Sequence, residues 1–120
     1  MTKKEYLDFI VGTFKWHILA NSEAFKNYSY NNDKANIYLL DFFNRIKEYG
    51  LSFSKPYHLH GIGNNNEYRI FLKEKDNDGF IIEKNIAKFH CTYGIYGGIS
   101  AWVEDYDTNE QLCCGINYAR

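Results

Sequence analysis

The chain is poor in the features that usually announce a function. It has one proline, one methionine and three cysteines, and no long apolar run. Runs such as Phe9-Ile10-Val11 stop after a few residues, whereas a bilayer-spanning helix needs about twenty, so no membrane span is expected. The start, Met1-Thr2-Lys3-Lys4-Glu5-Tyr6, leads into an amphipathic pattern and not into the apolar core of an export signal, which points to the cytoplasm. An excess of one charge is also missing. Fourteen Lys and Arg balance fifteen Asp and Glu, giving a formal charge of −1. That does not supply the basic field needed to hold a phosphate backbone, so nucleic acid is not an expected partner. No nucleophile elbow, phosphate-binding glycine loop, dinucleotide fingerprint or HExxH helix occurs, so neither a catalytic set nor a cofactor is expected. Cys91, Cys113 and Cys114 are an odd set with two neighbours in sequence, where a mutual disulfide would be strained; three reduced, half-buried strand thiols are expected.

What is present is the material of one domain over residues 1–120. Apolar residues make up 45% and charged residues 24%, as in soluble domains that bury a core. The lean towards Asn, Tyr, Lys, Ile and Phe follows AT-rich codons and hints at a bacterial or phage genome.

The first half carries helical periodicity. Thr2 and Glu5 have the spacing of a capping box, and Leu7, Val11, Phe14 and Ile18 recur as one stripe, widened by Tyr6 and Ile10. Asn21 and Ser22 read as a stop, with a short turn or loop over Glu23 to Tyr30. Asn31-Asn32-Asp33 then precedes a second stripe of Ala35, Leu39, Phe42, Ile46 and Tyr49 that ends at Gly50. Past Pro56 the period changes to two. Strands are expected at Tyr57–Ile62, Glu67–Lys73, Phe80–Glu83, Ile86–Thr92, Gly98–Tyr106 and Leu112–Tyr118, with Asn64-Asn65-Asn66 a polar loop and Asp76 to Gly79 a tight turn. The expected fold class is α+β: two N-terminal amphipathic helices packed on one face of an antiparallel five- or six-stranded β-meander.

Three patterns bear on chemistry. Glu74 to Ile81 resembles the start of a calcium-binding loop, but the twelfth position is Asn85 where a bidentate Glu is required, so a hairpin turn is the better reading. His58 and His60 share a strand face and could supply two ligands to a metal, but no further ligand can be assigned. His90 and Cys91, as strand neighbours, point to opposite faces and cannot pair for catalysis.

A further pattern is charge. Residues 89–119 contain no Lys or Arg, yet Glu104, Asp105, Asp107 and Glu110 cluster there with Trp102, Tyr106 and Tyr118 nearby. Carboxylates among aromatic rings suit a surface that docks a basic protein, because charge steers the encounter and rings anchor it. Those seven residues are the expected partner-binding set. The expected function is a small intracellular protein-binding inhibitor: a bacterial toxin-immunity protein, for instance against a basic nuclease, or a phage inhibitor of a host enzyme. The alternative is a metal- or ligand-binding, enzyme-like domain built on His58 and His60.

Overall fold

A computed structural model describes residues 1–26, 33–59 and 64–119. Helix α1 spans Lys3–His17, and its capping box forms as expected: the Thr2 hydroxyl accepts from the Glu5 amide at 3.2 Å, and the Glu5 carboxylate accepts from the Thr2 amide at 3.3 Å. Its buried face is Ile10, Thr13 and Phe14, continued by Ile18, with Leu7 only partly covered. The stripe is thus rotated towards Ile10 from the sequence expectation, because α1 must fill the gap between a second helix and the sheet together. A 3₁₀ turn at Leu19–Asn21 and the short helix α2, Glu23–Lys26, follow.

Helix α3, Asp33–Glu48, buries Ala35, Leu39, Phe42 and Ile46, the periodic set. It ends in a Schellman motif. Gly50, at φ +90°, donates to the Lys47 carbonyl and Leu51 to that of Ile46, so the last carbonyls are satisfied and Leu51 turns into the core.

Among the described residues the sheet has six antiparallel strands: β1 Ser52–Phe53, β2 Tyr57–Leu59, β3 Asn64–Lys75, β4 Ile81–Tyr93, β5 Ile99–Asp105 and β6 Ile116–Asn117. Their order is β1-β3-β4-β5-β6, with β2 also on β3. β1 and β2 are two pieces of one edge, broken around Pro56, which has no amide to donate to a ladder. The two helices lie against one face, where Phe42 packs on Phe89 at 4.9 Å between ring centres and on Phe14 at 6.1 Å. The fold class is α+β, as the period change implies.

Several boundaries differ from the sequence expectation. Phe80–Glu83 and Ile86–Thr92 fuse into the single strand β4, because Ile86 is an extra residue between the pairs Ile70–Ala87 and Phe71–Asn85. This bulge lets both Ile86 and Ala87 enter the core, which breaks the alternation that marks a strand. Asn64–Asn66 opens β3 and is not a loop; cross-strand partners on β4 hold it extended. Leu112–Tyr118 reduces to Ile116–Asn117; before it the chain meets β5 through the Glu104–Gln111 bridge and the Leu112 amide's bond to the Val103 carbonyl, and Gly115 passes close to Ala101. Of the cysteines only Cys91 lies on a strand. It is buried, Cys113 is half-buried and Cys114 is exposed, and all three are free thiols. Burial pushes the Cys91 thiol up to about 12, against the opposing effect of a hydrogen bond with Tyr93. No described helix is long and apolar enough to cross a membrane.

The Asp76–Gly79 turn forms as read. Asp76 Oδ1 accepts from the amides of Asp78 and Phe80, both at 2.9 Å, and Gly79 sits at φ +82°. The carboxylate is occupied by its own turn.

Candidate functional site, the uncovered sheet face

The register decides which side chains meet. Tyr68, Ile70, Phe89, Cys91, Ala101 and Val103 belong to the core beneath the helices. The alternate residues, Glu67, Arg69, Phe71, Lys88, His90, Trp102, Glu104 and Tyr106, stand on the opposite face, which no described element covers. Glu67 pairs with His90 across β3 and β4, and His90 with Trp102 across β4 and β5.

At the centre, His90 Nε2 lies 2.9 Å from Glu104 Oε2 and 3.7 Å from Glu67 Oε1. A carboxylate only accepts, so Nε2 carries the proton and donates. The ring is stacked on Trp102, with centres 4.8 Å apart and planes 10° from parallel. Lys88 Nζ stands 3.6 Å from Glu67, donates to Asn109 Oδ1 at 2.7 Å and lies over the Tyr106 ring. Arg69 donates to Asn85 and Glu83 while its guanidinium covers Phe71 at 4.3 Å.

Two open grooves lie on this face, with the stacked His90 and Trp102 rings between their outer strands. One, about 440 Å³, is lined by Ser54, Tyr57, Glu67, Arg69, Lys88 and Tyr106. The other, about 450 Å³, is lined by Ser100, Trp102, Gln111, Gly115, Ile116 and Asn117. Glu67, Lys88, His90 and Glu104 are tied to one another, and Ser100 donates to Asn117, so these groups are already held together before any partner arrives.

The seven residues read from sequence separate into four environments. Trp102, Glu104 and Tyr106 stand on the uncovered face. Asp107 and Glu110 are exposed on the turn after β5, Asp107 paired with Lys3 and Glu110 without an ion-pair partner among the described residues. Asp105 points to the helix side. It accepts from Lys3 at 3.1 Å and from the backbone amides of Asp107 and Thr108, so it builds the turn and ties it to the start of α1. Tyr118 packs partly buried against the core. Sequence reading missed Glu67, Lys88 and His90 as members of one group. Each strand alternates polar with apolar residues, which marks a polar face, but nothing local says that positions 67, 90 and 104 are neighbours. His60 and the side chain of His58 lie outside the described residues. Among the described residues no cluster of three or more His, Cys, Asp or Glu is arranged to hold a metal ion.

The Asp105 anchor has a pH signature. Burial by itself would raise its pKa, but the Asp107 amide, the Lys3 ammonium and the Thr108 amide outweigh it and hold the carboxyl below its ordinary value. Lys3 is raised, chiefly by its bond to Asp107. A carboxylate with a lowered native pKa stabilises the fold above its unfolded value of about 4, and that contribution disappears as pH falls through the native pKa. Asp105→Asn is therefore expected to melt below the parent at neutral pH, with the gap closing in acid. A gap that stays constant across a pH series of thermal melts would contradict this anchor.

Comparison with family models, with curated proteins and with solved structures returned no match to this chain, so the reading of its function rests on the surface described above.

Proposed function

We propose that the chain is a protein-binding inhibitor of the toxin-immunity or phage-inhibitor kind, acting in the cytoplasm on a basic partner. The observation that carries this reading is the uncovered sheet face. There Trp102, Tyr106 and the exposed Tyr57 stand beside Glu67 and Glu104, next to the rim formed by Asp107 and Glu110. Around this face and rim, Glu67, Glu104, Asp105, Asp107 and Glu110 are set against three cationic side chains, Lys3, Arg69 and Lys88. The surplus is negative, and it attracts a cationic protein and orients it on approach. The rings then supply stiff, amphipathic area for the close contact. Prior bonding among the side chains lowers the ordering cost of association. Open, shallow grooves suit the convex surface of a protein better than a small substrate that must be enclosed.

The test is direct binding to the products of the reading frames adjacent to this one in its native genome, measured by interferometry at low and high salt. The expected result is a complex with a basic partner. Trp102→Ala should weaken it by tenfold or more, roughly the loss of one hot-spot side chain. The double reversal Asp107→Lys with Glu110→Lys should slow association several-fold at low salt and have little effect at high salt. Unchanged binding in both variants would remove this face as the docking surface, and the absence of any complex at low salt would overturn the reading.

A further inference from the structure

The β3–β4 hairpin reaches well beyond the sheet. β1 stops pairing with β3 at Phe71, and β5 stops pairing with β4 at Ala87. Leu72–Lys75 and Ile81–Asn85 therefore form a two-stranded ribbon with both outer edges unpaired among the described residues. At its end Phe80, Ile81 and Ile82 are 70%, 65% and 46% exposed. A lone two-stranded ribbon is marginal in water, and an open strand edge bearing apolar residues is a template for another strand.

We propose that this ribbon is a dimerisation arm, with the β4 edge of one copy pairing antiparallel with the β4 edge of a second copy. The inference is independent of the inhibitor reading. It follows from hydrogen-bond parity and charge.

The Asp76 amide donates to the Phe80 carbonyl, so that pair is bonded across the hairpin. Backbone bonding alternates along an antiparallel pair, so the amides and carbonyls of Lys75 and Ile81, and of Lys73 and Glu83, face outward. On the β3 edge, a two-fold pairing that joins these outward groups sets Lys73 against Lys75 of the second copy and Glu74 against Glu74. Shifting the centre to Lys73 or Lys75 again places lysine opposite lysine. That edge repels itself.

The β4 edge does not. Centred on Ile82, Ile81 of each copy pairs with Glu83 of the other through four backbone hydrogen bonds. Ile82 meets Ile82 in the pair without mutual backbone bonds, where side chains stand closest, and Phe80 lies opposite Lys84. No like charges oppose one another. Centred on Ile81, only one bonded pair forms, because Gly79 is held in the turn at φ +82°. The Ile82-centred register is therefore the favoured one, and it shelters Ile82, Phe80 and Leu72 of both copies.

Sedimentation velocity over a range of concentrations tests the arm. The expected result is a reversible dimer that Ile82→Lys weakens at least tenfold while circular dichroism stays unchanged, since Ile82 is half-exposed and its replacement removes little from the core. In a Cys113→Ser, Cys114→Ser background, Ile82→Cys should form a disulfide-linked dimer with oxidised glutathione as the oxidant. The paired Cα atoms would be about 4.5 Å apart, within disulfide reach. Ile81→Cys, displaced by two residues from its own copy, should not. A parent that sediments as a monomer at every concentration, a dimer indifferent to Ile82→Lys, or a linked dimer from Ile81→Cys and none from Ile82→Cys would each overturn the proposal.

Discussion

Replacing Phe42 by alanine is expected to cost about 3–5 kcal/mol of folding stability, a loss typical of a fully buried phenylalanine whose cavity cannot collapse. Phe42 is fully buried and is the ring that joins the layers. It contacts Phe14 on α1, Phe43 on its own helix, Phe53 on β1 and Phe89 at the centre of β4. Each neighbour is held by a different element, so none can move into the space without loosening its own strand or helix. Domains of this size are stable by about 5–15 kcal/mol in all, so the variant should lie near the edge of folding at physiological temperature. Urea titration by fluorescence and circular dichroism checks this. A shift in midpoint equivalent to less than about 1 kcal/mol would mean that the core repacks around the gap, and that the joining role assigned to Phe42 is wrong.

Gly98→Ala should be the second largest effect, and it acts on the candidate site. Gly98 sits at φ +82°, and a Cβ placed there would stand 1.9 Å from the backbone oxygen of Tyr118. The new methyl group cannot be accommodated by a flexible side chain, so the 98–99 or 117–119 backbone must move. A loss of roughly 3 kcal/mol is expected, from the unfavourable φ and from weakening of the Tyr118 to Ile99 hydrogen bond. Gly50→Ala is the control. Gly50 has the same handedness, φ +90°, but open space where a Cβ would stand. It should cost only about 1 kcal/mol. Equal losses in the two variants would refute the close approach at Gly98. If the larger loss is seen, faster hydrogen exchange at Tyr118 should accompany it. The groove beside Trp102 should also open, because the 115–117 segment that lines it is pinned between Gly98 and a second close approach at Gly115, where a Cβ would stand 2.4 Å from the Ala101 oxygen.

Local chemistry made some elements legible. For α3, the apolar period and Gly50 agree with each other, and both survive in the fold because neither needs a distant residue. The same holds for the capping box at Thr2 and for the turn at Asp76–Gly79, where Asp76 bonds its own neighbours. The acidic cluster after Trp102 was visible as composition, yet its parts do different things. Asp105 and Glu104 are adjacent in sequence, and strand alternation sends one to Lys3 on the helix side and the other to His90 on the uncovered face. The fused strand β4 was not legible, because the Ile86 bulge is expressed in register against β3 and leaves no local signal beyond two consecutive apolar residues.

By itself, then, the sequence determined the α+β class, the second helix and its stop, the hairpin turn and the balance of charge, since each depends on contacts within a few residues. Only the tertiary structure decided that Glu67, Lys88, His90, Trp102 and Glu104 form one group, and that Phe80 to Ile82 are left at the end of a ribbon. Both depend on cross-strand register. A shift of one residue reverses every side chain, and the register is set by burial of the opposite face beneath two helices distant in sequence.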